Sequence, residues 1–143
     1  MILVDANILI YASNKASSRY AEAREWLSDQ INGSARVGLP WAALLAFLRL
    51  ATNRHVFPIP LTTGLAWRHV SEWLACERVW IPAPTERHAE VLGTLVTQPG
   101  VHGNLIADAH LAALAIEHGL TLCSTDGDFA RFPKLRWLNP LAA

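Results

Sequence analysis

Cysteine is scarce in this chain. Among its 143 residues only Cys76 and Cys123 carry thiols, and they stand far apart in no metal-binding spacing. That argues against a disulfide scaffold or a thiolate metal cluster, and points to a reduced, cytoplasmic protein. Excess charge is lacking too, since 12 Lys and Arg offset 12 Asp and Glu. Strong nucleic-acid binding through bulk charge is therefore not expected, although a local basic patch is compatible with this balance. No apolar run is long enough to span a bilayer, so no membrane segment is expected. The N-terminus has no basic start, and Asp5 interrupts its apolar run, so no signal peptide is expected either. No internal repeat, low-complexity tract or linker divides the chain.

What the chain does hold is apolar. Hydrophobic residues make up 52% and charged ones 17%, and there are six tryptophans. This is the composition of a globular protein, and the length suits a single domain over residues 1–143. Ile2-Leu3-Val4 reads as a short buried strand, followed by Asp5, by Asn7 in a turn, and by a second apolar run, Ile8 to Ile10. Ser17 or Ser18 caps a helix to about Ile31, with Tyr20, Ala23, Leu27 and Ile31 on one face, and Asn32-Gly33 ends it. Arg36 to Leu39 is a strand. Pro40 opens a helix from Trp41 to about Thr52 that is apolar nearly all round, hence expected to be buried.

Thr62 or Thr63 caps a third helix to about Cys76, and Val79 to Ile81 is a strand. Thr85 caps a fourth helix carrying Ala89, Leu92 and Val96. A fifth helix runs from about Asn104 to His118 and ends at Gly119. Leu120 to Cys123 and Leu135 to Leu138 are strands, with an acidic turn between them. Strands alternating with helices imply an α/β fold with a parallel sheet covered on both faces.

The chemistry lies in the aspartates. Ligands in open α/β sheets bind beyond the carboxyl ends of the strands, where Asp5 would sit. Its ordinary reading is a helix cap. Asp108 stands in Leu105-Ile106-Ala107-Asp108-Ala109-His110, a helix apolar on almost every face. A charge there needs either a cation from another element, such as Arg49, or a metal ion. Asn104 is one turn earlier on the same face, as a polar partner or simply a cap. In Ser124-Thr125-Asp126-Gly127-Asp128, Asp126 holds a strand-end position like that of Asp5. Asp128 reads first as a cap of the following turn, and Thr125 as a residue that could orient a carboxylate or a water. Carboxylates from three elements, with no thiolate and no close histidine pair, suit Mg²⁺ or Mn²⁺. Glu22, Glu25, Glu86, Glu90 and Glu117 read as solvated helix-face residues.

With Asp5-x-Asn7, Asp108 and Thr125-Asp126-x-Asp128-Phe129 in place, the chain resembles the PIN-domain ribonucleases, and more narrowly the VapC toxins of toxin–antitoxin pairs. Pro40-Trp41, Phe47-Leu48-Arg49, Asn104-Leu105-Ile106 and Phe129-Ala130-Arg131-Phe132 extend the resemblance over essentially the whole chain. It implies a three-layer α/β/α fold with a mostly parallel sheet of four to five strands. It implies a Mg²⁺- or Mn²⁺-dependent endoribonuclease acting on RNA, with tRNA or rRNA as plausible substrates. It also implies homodimers and a VapB-type antitoxin whose C-terminal segment lies across the cleft. By position, Asp5, Asp108 and Asp126 match the metal-binding acids of the family. Asp128 matches a less constant fourth acid, and Asn7, Asn104 and Thr125 are supporting polar residues.

One position departs from the family pattern. Ala46 stands in Leu44-Leu45-Ala46-Phe47 where the family usually has Glu, which puts a second metal ion in doubt. Two other readings compete with the nuclease. A binding module disabled at Ala46 would hold RNA or an antitoxin without cutting. A phosphatase would use Asp5 as a nucleophile, but no strand-end Lys is present to neutralise its phosphate. Basic residues that could guide RNA are Arg49 and Arg54 on one side, and Arg131, Lys134 and Arg136 after the acidic turn. The tryptophans divide between core and a partner surface, with an apolar groove between the first helices suited to an amphipathic antitoxin helix.

Overall fold

A computed structural model describes residues 1–142. Five short strands form one sheet: β1 (Ile2–Val4), β2 (Val37–Gly38), β3 (Val79–Trp80), β4 (Thr121–Cys123) and β5 (Arg136–Leu138). Every pairing is parallel, in the order β3-β2-β1-β4-β5. Six helices cover it: α1 (Ala6–Ser13), α2 (Tyr20–Ile31), α3 (Trp41–Ala51), α4 (Thr63–Ala75), α5 (His88–Val96) and α6 (Leu105–His118). The expected α/β fold with three layers and a parallel sheet is what forms, with five strands.

Period-two alternation in β1 separates the two cores. Val4 faces the layer of α1 to α4, with Ile8, Leu9, Leu27, Leu44, Phe47 and Val70. Leu3 faces the layer of α5 and α6, with Leu95, Ala112, Leu114 and Phe129. The chain passes from β1 outward to β2 and β3, then returns to build β4 and β5 on the other side of β1. The switch point is therefore between the carboxyl ends of β1 and β4, where a ligand crevice opens in such sheets.

Several local expectations are corrected. Asn7 lies in the first turn of α1, not in a connecting turn. The Asp5 carboxylate accepts from Ala6 N–H at 2.7 Å, so the helix starts as the strand ends. Ile8 and Leu9, which gave no readable period in so short a run, are fully buried within it. Arg19, not Ser17 or Ser18, precedes α2, although Ser17 Oγ accepts from Arg19 N–H at 3.1 Å. Thr85 does not cap α5, whose preceding residue is Arg87. The α3 helix is not buried all round. Ala43, Leu44, Phe47 and Ala51 face the core, while Trp41 is 42% and Leu45 59% exposed. Thr62 caps α4 as expected, and Gly119 closes α6 at φ 67°, a backbone conformation that favours glycine.

Candidate metal centre

Asp5 leaves β1 and Asp126 follows β4, so the sheet brings both to the switch point. The two strand ends are tied by Asp5 N–H donating to the Cys123 carbonyl at 3.0 Å. Ser124 completes the tie. Its fully buried hydroxyl donates to Asp5 Oδ2 at 2.8 Å. It accepts from Asn7 Nδ2 and from the Asp126 N–H, each at 3.0 Å. Asn7 Oδ1 in turn accepts a long bond, 3.4 Å, from the Thr125 N–H. Ser124 escaped the sequence reading because a serine opening an acidic turn reads as an ordinary turn former. The only sequence signal was its place directly after β4.

The third contribution comes from α6. Asp108 sits in its first turn, one turn after Asn104. One carboxylate oxygen from each of Asp108, Asp126 and Asp128 lies within 4.8 Å of the others. These three acids, with His102, Gly103, Asn104 and Leu105, line an open cavity of about 610 Å³. Asp5 lies behind them, with both oxygens engaged by Ala6 and Ser124. Burial pushes its carboxyl above the usual range, and the Asp126 charge adds to this, against the hydrogen bonds that lower it. Asp108 is pushed up to about 6, first by burial and then by the charges of Asp126, Asp5 and Asp128. These groups thus form one electrostatic unit of mutually repelling acids.

Two expectations about this cluster change. Asp126 caps the 3-10 turn Gly127–Arg131, accepting from Asp128 N–H at 2.9 Å, so Asp128 is not the cap. Asp128 is left to face the cavity. Nor is Arg49 the mate of Asp108. It lies exposed in the last turn of α3, and the cation that offsets the Asp108 repulsion is Arg131. Arg136 is bound elsewhere, to the Gly119 carbonyl. Ala46 lies half-buried on α3 and brings no carboxylate.

The donor set fits a hard divalent cation. It is all oxygen, it is crowded with like charge, and its spread matches one coordination sphere. Metal–oxygen distances of about 2.0–2.6 Å put opposite ligands about 4–5 Å apart. The engagement of both Asp5 oxygens argues against its service as a phosphate-accepting nucleophile.

A second buried ionic cluster was missed by the sequence reading. Glu117 is not solvated. Its side chain has no exposed surface, and Oε2 meets His88 Nδ1 at 2.5 Å. Its Oε1 accepts from the Thr85 N–H at 2.9 Å and hydroxyl at 2.7 Å. His88 Nε2 meets His110 Nδ1 at 3.1 Å. This cluster fastens α6 to α5 and to the loop before it.

A cluster of carboxylates able to hold a hard cation, at the switch point of a parallel sheet, is suited to hydrolytic phosphate chemistry. Comparison with known proteins agrees. Residues 2–135 match the family model described as PIN domain. The chain is 45% identical over 142 residues to Ribonuclease VapC37 of Mycobacterium tuberculosis, covering 99% of each. It is 38% identical over 141 residues to Ribonuclease VapC33 of the same species, again covering 99% of each. Its fold is similar to that of VapBC2 from Rickettsia felis bound to a promoter DNA fragment. There the TM-score is 0.69 at 22% identity, over 97% of this chain and 98% of that one. Mycobacterium tuberculosis VapC20, a Sarcin-Ricin loop cleaving toxin, gives 0.69 at 19% identity over 95% and 99%. The chain belongs to the PIN-domain family, among the VapC ribonucleases.

Proposed function

We propose that this protein is an endoribonuclease toxin that holds one divalent cation, Mg²⁺ or Mn²⁺, on Asp108, Asp126 and Asp128. The observation that carries this is the convergence of those three carboxylates in one cavity at the β1–β4 switch point. A bound ion of this kind polarises a phosphoryl oxygen and lowers the pKa of a coordinated water.

The chain's own residues supply the rest. Asp5 adds negative charge behind the three ligands and is held by Ser124 and the α1 N-terminus. Asn7 and Ser124 lock the two strand ends, which fixes Asp5 and Asp126 relative to each other. Asn104 lines the cavity where it can donate to a phosphate or a water. Thr125 supports the acidic turn through its backbone bond to Asn7. Ala46 supplies no ligand, which favours a single ion.

The substrate in this proposal is RNA, with tRNA or rRNA the candidate classes, and the working compartment is the cytoplasm. No helix among the described residues is long and apolar enough to cross a membrane. The partner is a VapB-type antitoxin. A groove of about 830 Å³, lined by Tyr20, Leu27, Ile31, Phe57, Leu65 and Trp73 among others, offers apolar surface for it. Exposed Trp41 and Leu45 on α3 offer surface for a second copy in a homodimer.

The test is cleavage of total cellular RNA by purified protein in Mg²⁺, in Mn²⁺ and in EDTA, with Asp108→Asn as control. Discrete cuts that need the metal and vanish in the variant are expected. Folded protein that binds RNA but never cuts it would establish the binding module that Ala46 suggests.

A further inference from the structure

Arg131 reaches the acidic cluster through Asp128. Its hold on the cluster is loose. Nη2 stands 3.7 Å from Asp128 Oδ1, and Nε donates to the Asp128 carbonyl at 3.3 Å. Nη1 lies against the loop before α6, where a Cβ on Gly100 would meet it at 3.7 Å, an ordinary contact. The side chain keeps 37% of its surface exposed. A guanidinium has five donors in a planar fork matched to carboxylate and phosphate oxygens. Among the described residues, only Nε makes a hydrogen bond within 3.5 Å, so most of the fork is uncommitted there.

The cluster poses a problem for an anionic substrate. Three aspartates line the cavity, with Asp5 behind them, and a single divalent ion leaves net negative charge. A phosphodiester entering there needs a second positive group beside the ion. Asp128, which borders the cavity, is also the residue that tethers Arg131.

Resting on the nuclease reading above, we propose that Arg131 is a phosphate-binding residue of this site that exchanges partners. Its guanidinium is tethered to Asp128 until a divalent cation takes up that carboxylate, and then turns to a non-bridging oxygen of the RNA phosphodiester. The exchange gives two effects of opposite sign. Removing Arg131 relieves competition for Asp128, so metal binding strengthens. It also removes the phosphate contact, so RNA binding and cleavage weaken.

The experiment compares Arg131→Gln and Arg131→Lys with the wild-type protein. Calorimetric titration with Mn²⁺ alone should give Arg131→Gln a two- to fivefold tighter Kd. Binding of a short mixed-sequence single-stranded RNA, measured by anisotropy with Ca²⁺ in place of Mn²⁺ to suppress cleavage, should weaken about tenfold. Cleavage of total RNA should fall by about 100-fold in Arg131→Gln. Arg131→Lys, which keeps the charge but not the fork, should fall between. Both tethers of Arg131 run to a residue three positions away on an exposed turn, so melting curves should match the wild type. Wild-type cleavage matched by Arg131→Gln would overturn the phosphate role alone. Weaker Mn²⁺ binding in Arg131→Gln would overturn the exchange. A wild-type protein that neither binds nor cuts RNA would overturn the nuclease reading and this proposal together.

Discussion

Helix α6 carries two acidic groups that meet opposite fates. Glu117, near its C-terminal end, is wholly buried and fully partnered: the Thr85 backbone and hydroxyl hold one oxygen, and His88 holds the other. Asp108, near its N-terminal end, meets three other aspartates and one loosely held arginine. Burial acts to raise both carboxyls. Hydrogen bonds from Thr85 and His88 outweigh it at Glu117, which ends below its usual value. At Asp108 the neighbours add to burial, and the group rises to about 6. A charge whose partners are internal serves the fold. A charge left among like charges is the arrangement expected of a ligand site, since the fold bears its repulsion.

The largest expected effect comes from breaking the open cluster. Asp108→Asn should cut RNA cleavage by at least about 100-fold, since ligand loss should exceed the 10–100-fold loss seen when residues supporting a ligand are changed. The same substitution should raise the melting temperature in EDTA, because it removes one member of a repelling set. A variant that loses both activity and stability would mean that Asp108 serves the fold. Glu117→Ala should do the reverse. It leaves His88 and Thr85 without their acceptor and should cost about 3 kcal/mol of stability in urea unfolding. Activity per folded molecule should be retained.

Ser124→Ala falls between the two classes, because Ser124 touches Asp5, Asn7 and Asp126 together. Loss of its buried hydroxyl should cost about 1–2 kcal/mol. Cleavage should drop about tenfold, with weaker Mn²⁺ binding as the accompanying sign of a misplaced site.

The smallest effect is on pH dependence, and its sign separates the clusters. The folded protein keeps the Asp108 proton to higher pH than the unfolded chain, so its ionisation costs stability as pH rises from about 4 to about 6. Glu117 works oppositely. Its folded value is depressed, so its contribution is present above the usual carboxylate range and is lost as pH falls through the folded value. His110 is held below its ordinary value by burial and by the His88 charge, so it too loses stability on acidification below about 6.5. Unfolding in EDTA at several pH values should show Asp108→Asn gaining on the wild type between about pH 4 and 6. Saturating Mn²⁺ should cancel that gain, since a bound cation favours the ionised carboxylate.

Much of this was legible along the chain. The apolar run Ile2–Val4 ending in Asp5, and the run into Ser124-Thr125-Asp126, announce strand ends that carry acids. Asp108 stood out because an acid in an apolar helix needs an explanation. The helices of twelve to fourteen residues declare themselves more clearly: α2 and α4 through their apolar period, and α6 through its length and the Gly119 that closes it. Short α1 did not, because eight apolar-rich residues hold barely two turns and too little contrast to show a period.

Sequence by itself therefore determined the alternation of strands and helices, the family pattern, and which acids could meet. Local chemistry suffices for those, since burial and turn formation are written residue by residue. Only the tertiary structure decided which partners each charge receives. It made Asp126 the cap while keeping it beside Asp128 in the cavity, replaced Arg49 by Arg131, and turned Glu117 inward onto His88. It also made Ser124 the joint between the ends of β1 and β4, bonded to Asp5 and Asn7, which stand 119 and 117 residues away along the chain. Those outcomes depend on distances across the fold, and a Coulomb interaction or a hydrogen bond is set by separation in space rather than by position in the chain.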